Sequence, residues 1–133
     1  MNQILKVRLV VCCEMILKEI DKLESFLGEE GTEIRQIFHP HNTLNGIRYS
    51  IAHSKISSGK ASTPHKLKSS EVYYVLRGEG IIHVNDKTKK IHIRQSIFVP
   101  AFSKQYIENT GQVDLEVLCI VDPAWKQEDE ISD

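Results

Sequence analysis

From residue 47 onward, short β-forming runs alternate with turn signals, and this pattern restricts the fold more than any other feature. The runs are rich in Ile, Val, Tyr and Phe, and Gly, Asn or Pro separates them at Ser57–Gly59, Arg77–Gly80 and Asn109–Gly111. Several short strands at regular spacing predict an antiparallel sandwich or barrel. No sustained helical half accompanies them, so the pattern disfavours an α/β fold.

The sequence before residue 47 is less regular. Ile16–Ile20 predicts a short strand and Asp21–Phe26 a turn of helix, while Glu33–Phe38 predicts a further strand. We therefore expect a short strand/helix extension before the barrel. Its first part, residues 1–14, is an N-terminal extension that could supply a strand exchanged between subunits.

The length of 133 residues suits one domain, which we place at residues 15–125, followed by an acidic surface tail at residues 126–133. The net charge of −1 gives no electrostatic reason to expect nucleic acid or membrane binding. No apolar run approaches the roughly 20 residues of a membrane span. Cys12, Cys13 and Cys119 follow no disulfide or zinc pattern, which favours a reducing, cytoplasmic location.

One stretch combines turn residues with polar side chains that can do chemistry. Five residues separate Gly59 from His65, and Leu67 stands two positions after His65. Three residues then separate Leu67 from Glu71, and six residues separate Glu71 from Gly78. A second stretch places Pro100, Phe102, Gln105 and Asn109 in order after Arg94. In a strand, residues two apart share a face, so His65 and position 67 project to the same side.

These two stretches resemble the two signature motifs of the cupin superfamily, and in particular small single-domain cupins similar to the mannose-6-phosphate isomerase type II cupin domain. The resemblance implies a double-stranded β-helix, a homodimer and a site inside the barrel. Every spacing of the first motif is present, but Leu67 stands where its second histidine would be. In the second motif, Gln105 replaces the histidine, and Arg94 and Phe102 replace glycines.

In the family, two histidines, a glutamate and the second-motif histidine hold iron, manganese, nickel or zinc. Carried over, the resemblance leaves His65, Glu71 and Gln105 as candidate metal ligands, of which the Gln105 amide is weak. A metal-free pocket is equally open. His53 could complete the site if its strand face points inward, and with Leu67, Gln105 and Phe102 it forms the expected pocket lining.

Without a metal, His65 and Glu71 form a candidate acid–base pair, and Tyr73 shares the face of Glu71. The same side chains could instead satisfy one another in a polar core. For His83 and His92 we expect an outward orientation, and for Lys60, Lys66 and Lys68 a solvated surface rather than an anion site.

Two functions follow from these observations. The first is a cupin-fold protein that binds a small molecule at a degenerate or weak metal site. The alternative is an isomerase, epimerase or dioxygenase, metal-dependent or metal-independent, that acts on a sugar, a sugar phosphate or a small organic acid. Leu67 and Gln105 favour the first.

Overall fold

The computed structural model describes residues 15–28, 32–43 and 46–131. Two short 3-10 helices lie within these ranges, at Ile20–Lys22 and Gln127–Asp129. The strands there are β1 (Phe26–Leu27), β2 (Thr32–Phe38), β3 (Ser50–Ile56), β4 (His65–Leu67), β5 (Ser70–Arg77), β6 (Glu79–Val84), β7 (Lys87–His92), β8 (Ser96–Val99), β9 (Lys104–Asn109), β10 (Leu115–Asp122) and β11 (Glu130–Ile131).

The strands form two antiparallel sheets that pack face to face. One sheet has the order β1-β2-β3-β10-β5-β8, and the other has the order β11-β4-β9-β6-β7. The chain crosses from one sheet to the other between β3 and β4, between β4 and β5, and again between β5 and β6. This topology confirms the predicted all-β, double-stranded β-helix.

The core between the sheets follows from the alternation along each strand. In β5, Tyr73 and Val75 are buried, whereas Tyr74 and Leu76 between and beyond them are exposed. The same period of two applies in the strands opposite, because successive side chains of a strand point to opposite faces. The buried cluster consists of Ile56, Tyr73, Val75, Ile82, Ile91, Val99, Ile107, Leu115 and Val117.

The turns around β6 show why glycine and asparagine stand there. A Cβ on Gly80 would lie 2.2 Å from the carbonyl oxygen of Glu108, so only glycine lets β6 and β9 approach this closely. At the other end of β6, Asn85 has a φ of 56°, in the left-handed region that asparagine tolerates. Asn85 and Asp86 therefore form a tight turn, and β7 already begins at Lys87.

The structure corrects the prediction for Ile16–Ile20. Residues 15–19 form no strand, and Met15 and Leu17 are exposed, so their apolar side chains have no sheet to join among the described residues. The predicted helical turn is present only as the 3-10 helix at Ile20–Lys22. The proposed extension and exchanged strand at residues 1–14 lie outside the described part of the chain.

Part of the acidic tail pairs with the barrel, whereas we expected residues 126–133 to form a separate surface segment. Its strand β11 pairs with β4, with Glu130 opposite Leu67. The backbone amide of Lys68 donates to the carbonyl of Asp129 at 3.2 Å, which anchors the segment further. The domain therefore includes residues up to at least 131. Acidic composition alone gave no sign of this pairing, because backbone hydrogen bonds do not depend on side-chain charge.

The outer face of the six-stranded sheet carries several large apolar side chains. Tyr74, Leu76 and Phe98 are 37%, 42% and 64% exposed, and Val72 of β5 lies opposite Phe98 of β8. Exposed apolar side chains on adjacent strands are typical of surfaces that contact another protein. The homodimer implied by the resemblance stays a prediction, and this is the face where we expect it.

Candidate functional site

A cavity of about 290 Å³ lies between the two sheets. The six-stranded sheet contributes inward side chains from β2, β3, β5 and β10, and the five-stranded sheet contributes β4, β9 and β11. Small residues on β3 leave the space open, because Ser50, Ala52 and Ser54 line the cavity where larger side chains would fill it. The volume is close to the lower end of the range for small-molecule sites, about 300–1,000 Å³.

Glu71 and Tyr73 line the cavity, and the fully buried Gln105 joins them in a hydrogen-bonded cluster. The hydroxyl of Tyr73 lies 2.6 Å from Oε1 of Gln105 and 3.0 Å from Oε1 of Glu71. Gln105 Nε2 donates to Glu71 Oε1 at 3.0 Å. The single phenolic hydrogen can serve only one acceptor at a time. A proton on Glu71 would satisfy the arrangement, since Tyr73 could then donate to Gln105 and accept from Glu71.

Burial decides the protonation of this cluster. Glu71 is 6% exposed, and loss of solvent raises the pKa of its carboxyl above the ordinary value, although hydrogen bonds from Tyr73 and Gln105 oppose the shift. Burial also raises the pKa of Tyr73 and of Cys119 well above their usual values, with the Glu71 charge adding to both shifts. Tyr73 and Cys119 are therefore neutral groups, and Glu71 retains its proton more readily than an exposed carboxyl.

His65 reaches the same cavity from β4, on the opposite sheet. Its Nδ1 lies 2.8 Å from the carbonyl oxygen of Thr63, and because a carbonyl only accepts, Nδ1 is the donor. The neutral ring therefore has a lone pair on Nε2. Leu67, two positions along the strand and on the same face, also lines the cavity and is 2% exposed. The predicted pairing of His65 and position 67 on one face is confirmed.

The side chains at the four motif positions do not fit a bound metal ion. Leu67 offers no ligand atom, and Gln105 uses both its amide oxygen and its amide nitrogen in bonds to Tyr73 and Glu71. Only His65 and Glu71 remain, fewer than the three or four protein ligands that a transition metal usually takes. Across the described ranges, no three His, Cys, Asp or Glu side chains lie together as a metal site would require.

Three of the four expected pocket residues do not line the cavity: Gln105 is buried in the hydrogen-bonded cluster, and His53 and Phe102 lie elsewhere. His53 is on the opposite face of β3 from Ala52 and Ser54, where its Nε2 donates to Glu116 Oε1 at 2.9 Å. The strand prediction had the correct period, but Ile51 and His53 face outward. Phe102 is 61% exposed, with a φ of 65°, in the turn before β9, so its side chain points away from the cavity. These three pocket assignments are wrong.

The other histidines and the lysine cluster lie outside the cavity. His83 stacks on Tyr106 with ring centroids 4.0 Å apart and pairs with Glu108, and His92 is exposed. This agrees with the expected outward orientation. Neither Lys60, Lys66 nor Lys68 lines the cavity.

Sequence reasoning missed Trp125 and Glu130, which line the mouth of the cavity. Trp125 Nε1 donates to Glu130 Oε1 at 2.9 Å, which holds the carboxylate beside the indole ring. Both follow the last motif. Glu130 lies in the segment that we expected to be a surface tail, and the pairing of β11 with β4 brings it to the site. The small residues of β3 were a usable signal, since serine and alanine alternate there at the inward positions.

The model of the cupin domain family matches residues 52–121, more than half of the chain. The chain belongs to the cupin family. Among similar proteins, this cupin is 30% identical over 121 residues to an uncharacterized protein of Methanocaldococcus jannaschii, covering 90% of this chain and 96% of that one. It is 37% identical over 103 residues to an oxalate-binding protein of Thermotoga maritima, covering 76% and 84%.

Solved structures show the same fold. A predicted oxalate decarboxylase from Thermotoga maritima superposes with a TM-score of 0.72 at 24% identity, over 81% of this cupin and 99% of that chain. The polyketide cyclase RemF from Streptomyces resistomycificus superposes with a TM-score of 0.70 at 17% identity, over 87% and 89%. At these identities the likeness establishes the double-stranded β-helix and carries no assignment of activity.

No helix in the described parts of this cupin has the length and apolar character needed to cross a membrane.

Proposed function

We propose that this cupin binds a small molecule in the cavity between its sheets and does so without a transition metal. One observation carries the proposal: Glu71 and Gln105, at two of the motif positions where the family holds a metal, bond to each other and to Tyr73, and Glu71 and Tyr73 line the cavity. Leu67 makes the neighbouring position apolar. The ligand therefore meets a hydrogen-bonding cluster on one wall and aliphatic side chains on the others.

The relative named as an oxalate-binding protein supports binding of a small molecule as the general class. The residues of this chain argue against a doubly charged anion. Within the described residues, neither lysine nor arginine lines the cavity, which carries the carboxyls of Glu71 and Glu130 beside the imidazole of His65. An anion held there without a metal would meet no fixed positive charge.

The test compares two variants of one strand in protein treated with EDTA. Ala52 lines the cavity, whereas Ile51 next to it faces the other side of the sheet. We expect a library of small fragments, screened by ligand-detected NMR, to give hits that weaken at least about tenfold in Ala52→Phe, because the ring fills the cavity. Ile51→Phe should leave the same hits unchanged, and Ser54→Leu offers a milder filling.

Circular dichroism checks that each variant is folded. Hits that persist in both filling variants would place binding elsewhere. Hits that appear only when Fe²⁺, Mn²⁺, Ni²⁺ or Zn²⁺ is added back would contradict metal-free binding.

Acid–base catalysis at the same site is the second candidate function. It is favoured by the raised pKa of Glu71, which makes this carboxyl a proton donor, and by the lone pair on His65 Nε2 in the same cavity. Such a pair suits isomerisation of a sugar or of its phosphate. Tyr73 would then orient Glu71 through their hydrogen bond.

Solvent exchange tests this second function. Incubation with fructose 6-phosphate, mannose 6-phosphate or dihydroxyacetone in D2O should introduce deuterium at carbon, detected by proton NMR. We expect His65→Asn and Glu71→Gln each to slow the exchange about 100-fold or more, the usual contribution of one acid or base group. Exchange no faster than in buffer for all three compounds would exclude this isomerase function for them.

A further inference from the structure

The cavity offers two unpaired hydrogen-bond acceptors. Both hydrogen bonds of Glu71 involve Oε1, and Oε2 has no hydrogen-bond partner among the residues that the structure describes, although the side chain is 94% buried, given its 6% exposure. His65 uses Nδ1 as the donor to Thr63, which leaves Nε2 as an acceptor. A ligand that satisfies both atoms must donate hydrogens rather than accept them.

Beside the imidazole of His65, the cavity carries two carboxyls. Glu71 lies on the wall and Glu130 at the more exposed mouth, and among the described residues no lysine or arginine joins them in the lining. The two carboxyls are close enough to interact. After burial, the opposing hydrogen bonds and the opposing charge of His65, the negative charge of Glu130 is a further and smaller cause of the raised pKa of Glu71. A positive group between them would be attracted by both.

Aromatic rings stand beside these carboxyls. Phe26, Tyr73 and Trp125 line the cavity, and the indole of Trp125 donates to Glu130 at 2.9 Å. A cation near an aromatic face gains further attraction from the ring electrons. Aliphatic side chains complete the lining, including Leu67 and Ile107. The lining therefore combines acceptors, negative charge and aromatic faces with an apolar wall.

We propose that the cavity selects a small ligand that carries a protonated primary amine on an apolar body. The ammonium group donates to Glu71 Oε2 and His65 Nε2 and lies in the field of Glu130. The apolar body packs against Leu67 and Ile107. This inference rests on the proposed function, because the amine must enter the cavity where we place ligand binding.

The experiment compares probes of the same skeleton that differ in charge. Cyclohexylamine, cyclohexanol and cyclohexanecarboxylate are titrated into the full-length protein at pH 7.5, 150 mM NaCl and 1 mM EDTA, and so are isopropylamine and isopropanol. Amide NMR shifts of Ala52 and Leu67 report binding in the cavity. We expect each amine to bind at least about tenfold more tightly than its alcohol, because charge-assisted hydrogen bonds are roughly twice as strong as neutral ones.

Two matched variants distinguish the effect of the charge at the cavity mouth from the effect of the protein's overall net charge. Glu130→Gln retains an acceptor for Trp125 but removes the charge at the cavity mouth. Glu128→Gln removes the same charge from an exposed position in the same segment, outside the cavity lining. We expect Glu130→Gln to weaken amine binding at least about fivefold and to leave the alcohols within about twofold. Glu128→Gln should change neither.

The outcomes distinguish this inference from the function on which it rests. Selection of an amine would be overturned if the alcohols bind in the cavity as tightly as the amines, or if the carboxylate binds more tightly. Either result would still support small-molecule binding. Equal effects of Glu130→Gln and Glu128→Gln would likewise overturn it. If none of the five probes shifts Ala52 or Leu67, and the fragment hits also persist in Ala52→Phe, both the inference and the proposed function fail.

Discussion

Replacement of Asn109 by alanine should destabilise the protein by about 3 kcal/mol. The Asn109 side chain is 3% exposed, and its Nδ2 donates to the carbonyls of Ile56 at 2.9 Å and Val113 at 2.8 Å. Its Oδ1 accepts from the amide of Gly111 at 2.9 Å. Asn109 therefore joins the ends of β3 and β9 to the turn before β10. Alanine leaves the Ile56 carbonyl and the Gly111 amide buried without partners.

Urea denaturation at pH 7 measures this effect as a change in the free energy of unfolding. Thr110→Ala is the matched control, because Thr110 is the exposed neighbour and forms none of these bonds. We expect it to change stability by no more than about 0.5 kcal/mol. A loss below about 1 kcal/mol for Asn109→Ala would mean that water replaces the missing amide and that this residue does not hold the strand ends together.

Replacement of Glu71 by glutamine should make the protein more stable near pH 8 and should leave stability almost unchanged near pH 4. The folded protein holds the Glu71 proton more tightly than the unfolded chain, because burial raises the pKa of this carboxyl above 4.5. Between the unfolded and the folded pKa, the unfolded chain releases a proton that the folded protein retains. Wild-type stability therefore falls as pH rises through this window and stays lower above it.

Glutamine removes this dependence, since it carries no charge and can still accept hydrogen bonds from Tyr73 and Gln105. Each unit by which the pKa is raised corresponds to about 1.4 kcal/mol of stability gained by the variant at high pH. Urea midpoints at pH 4, 5, 6, 7 and 8 measure the difference in stability between Glu71→Gln and the wild type. Titration of the histidines contributes equally to both proteins and therefore cancels in this difference. Glu128→Gln, at an exposed carboxyl, should follow the wild type. If the stabilities of Glu71→Gln and the wild type change with pH in parallel, Glu71 ionises in the folded protein as easily as in the unfolded chain, which would contradict the prediction.

The strands of the barrel could be predicted well from local pattern, and the N-terminal segment could not. Runs such as Ile97–Val99 and Gln105–Glu108 contain β-forming residues and end at Pro100 and Asn109, and they lie within β8 and β9. Ile16–Ile20 has the same composition but forms no strand. A strand requires a neighbour to pair with, and the local sequence does not tell whether one is available.

The candidate site was predictable where one strand carries the information. His65 and Leu67, and likewise Glu71 and Tyr73, share a face because they are two residues apart, and all four line the cavity. His53 shows the limit of the same rule. Alternation separates His53 from Ser54 but does not tell which of the two faces the interior. Packing of the two sheets decides this, and the small residues are the ones turned inward.

The fold and the position of its site follow from local sequence. The first motif, with its glycines at 59 and 78, places His65 and Glu71 in a barrel of short strands. Leu67 and Gln105 also showed that the usual metal ligands are incomplete. Only the tertiary structure brought Gln105 to Glu71 and Tyr73, and Glu130 to the cavity mouth. These contacts join residues far apart in the chain. Packing of the two sheets brings Gln105 of β9 to β5, and pairing of β11 with β4 brings Glu130 to the mouth. Such long-range pairing depends on the whole fold and leaves no local pattern in the sequence.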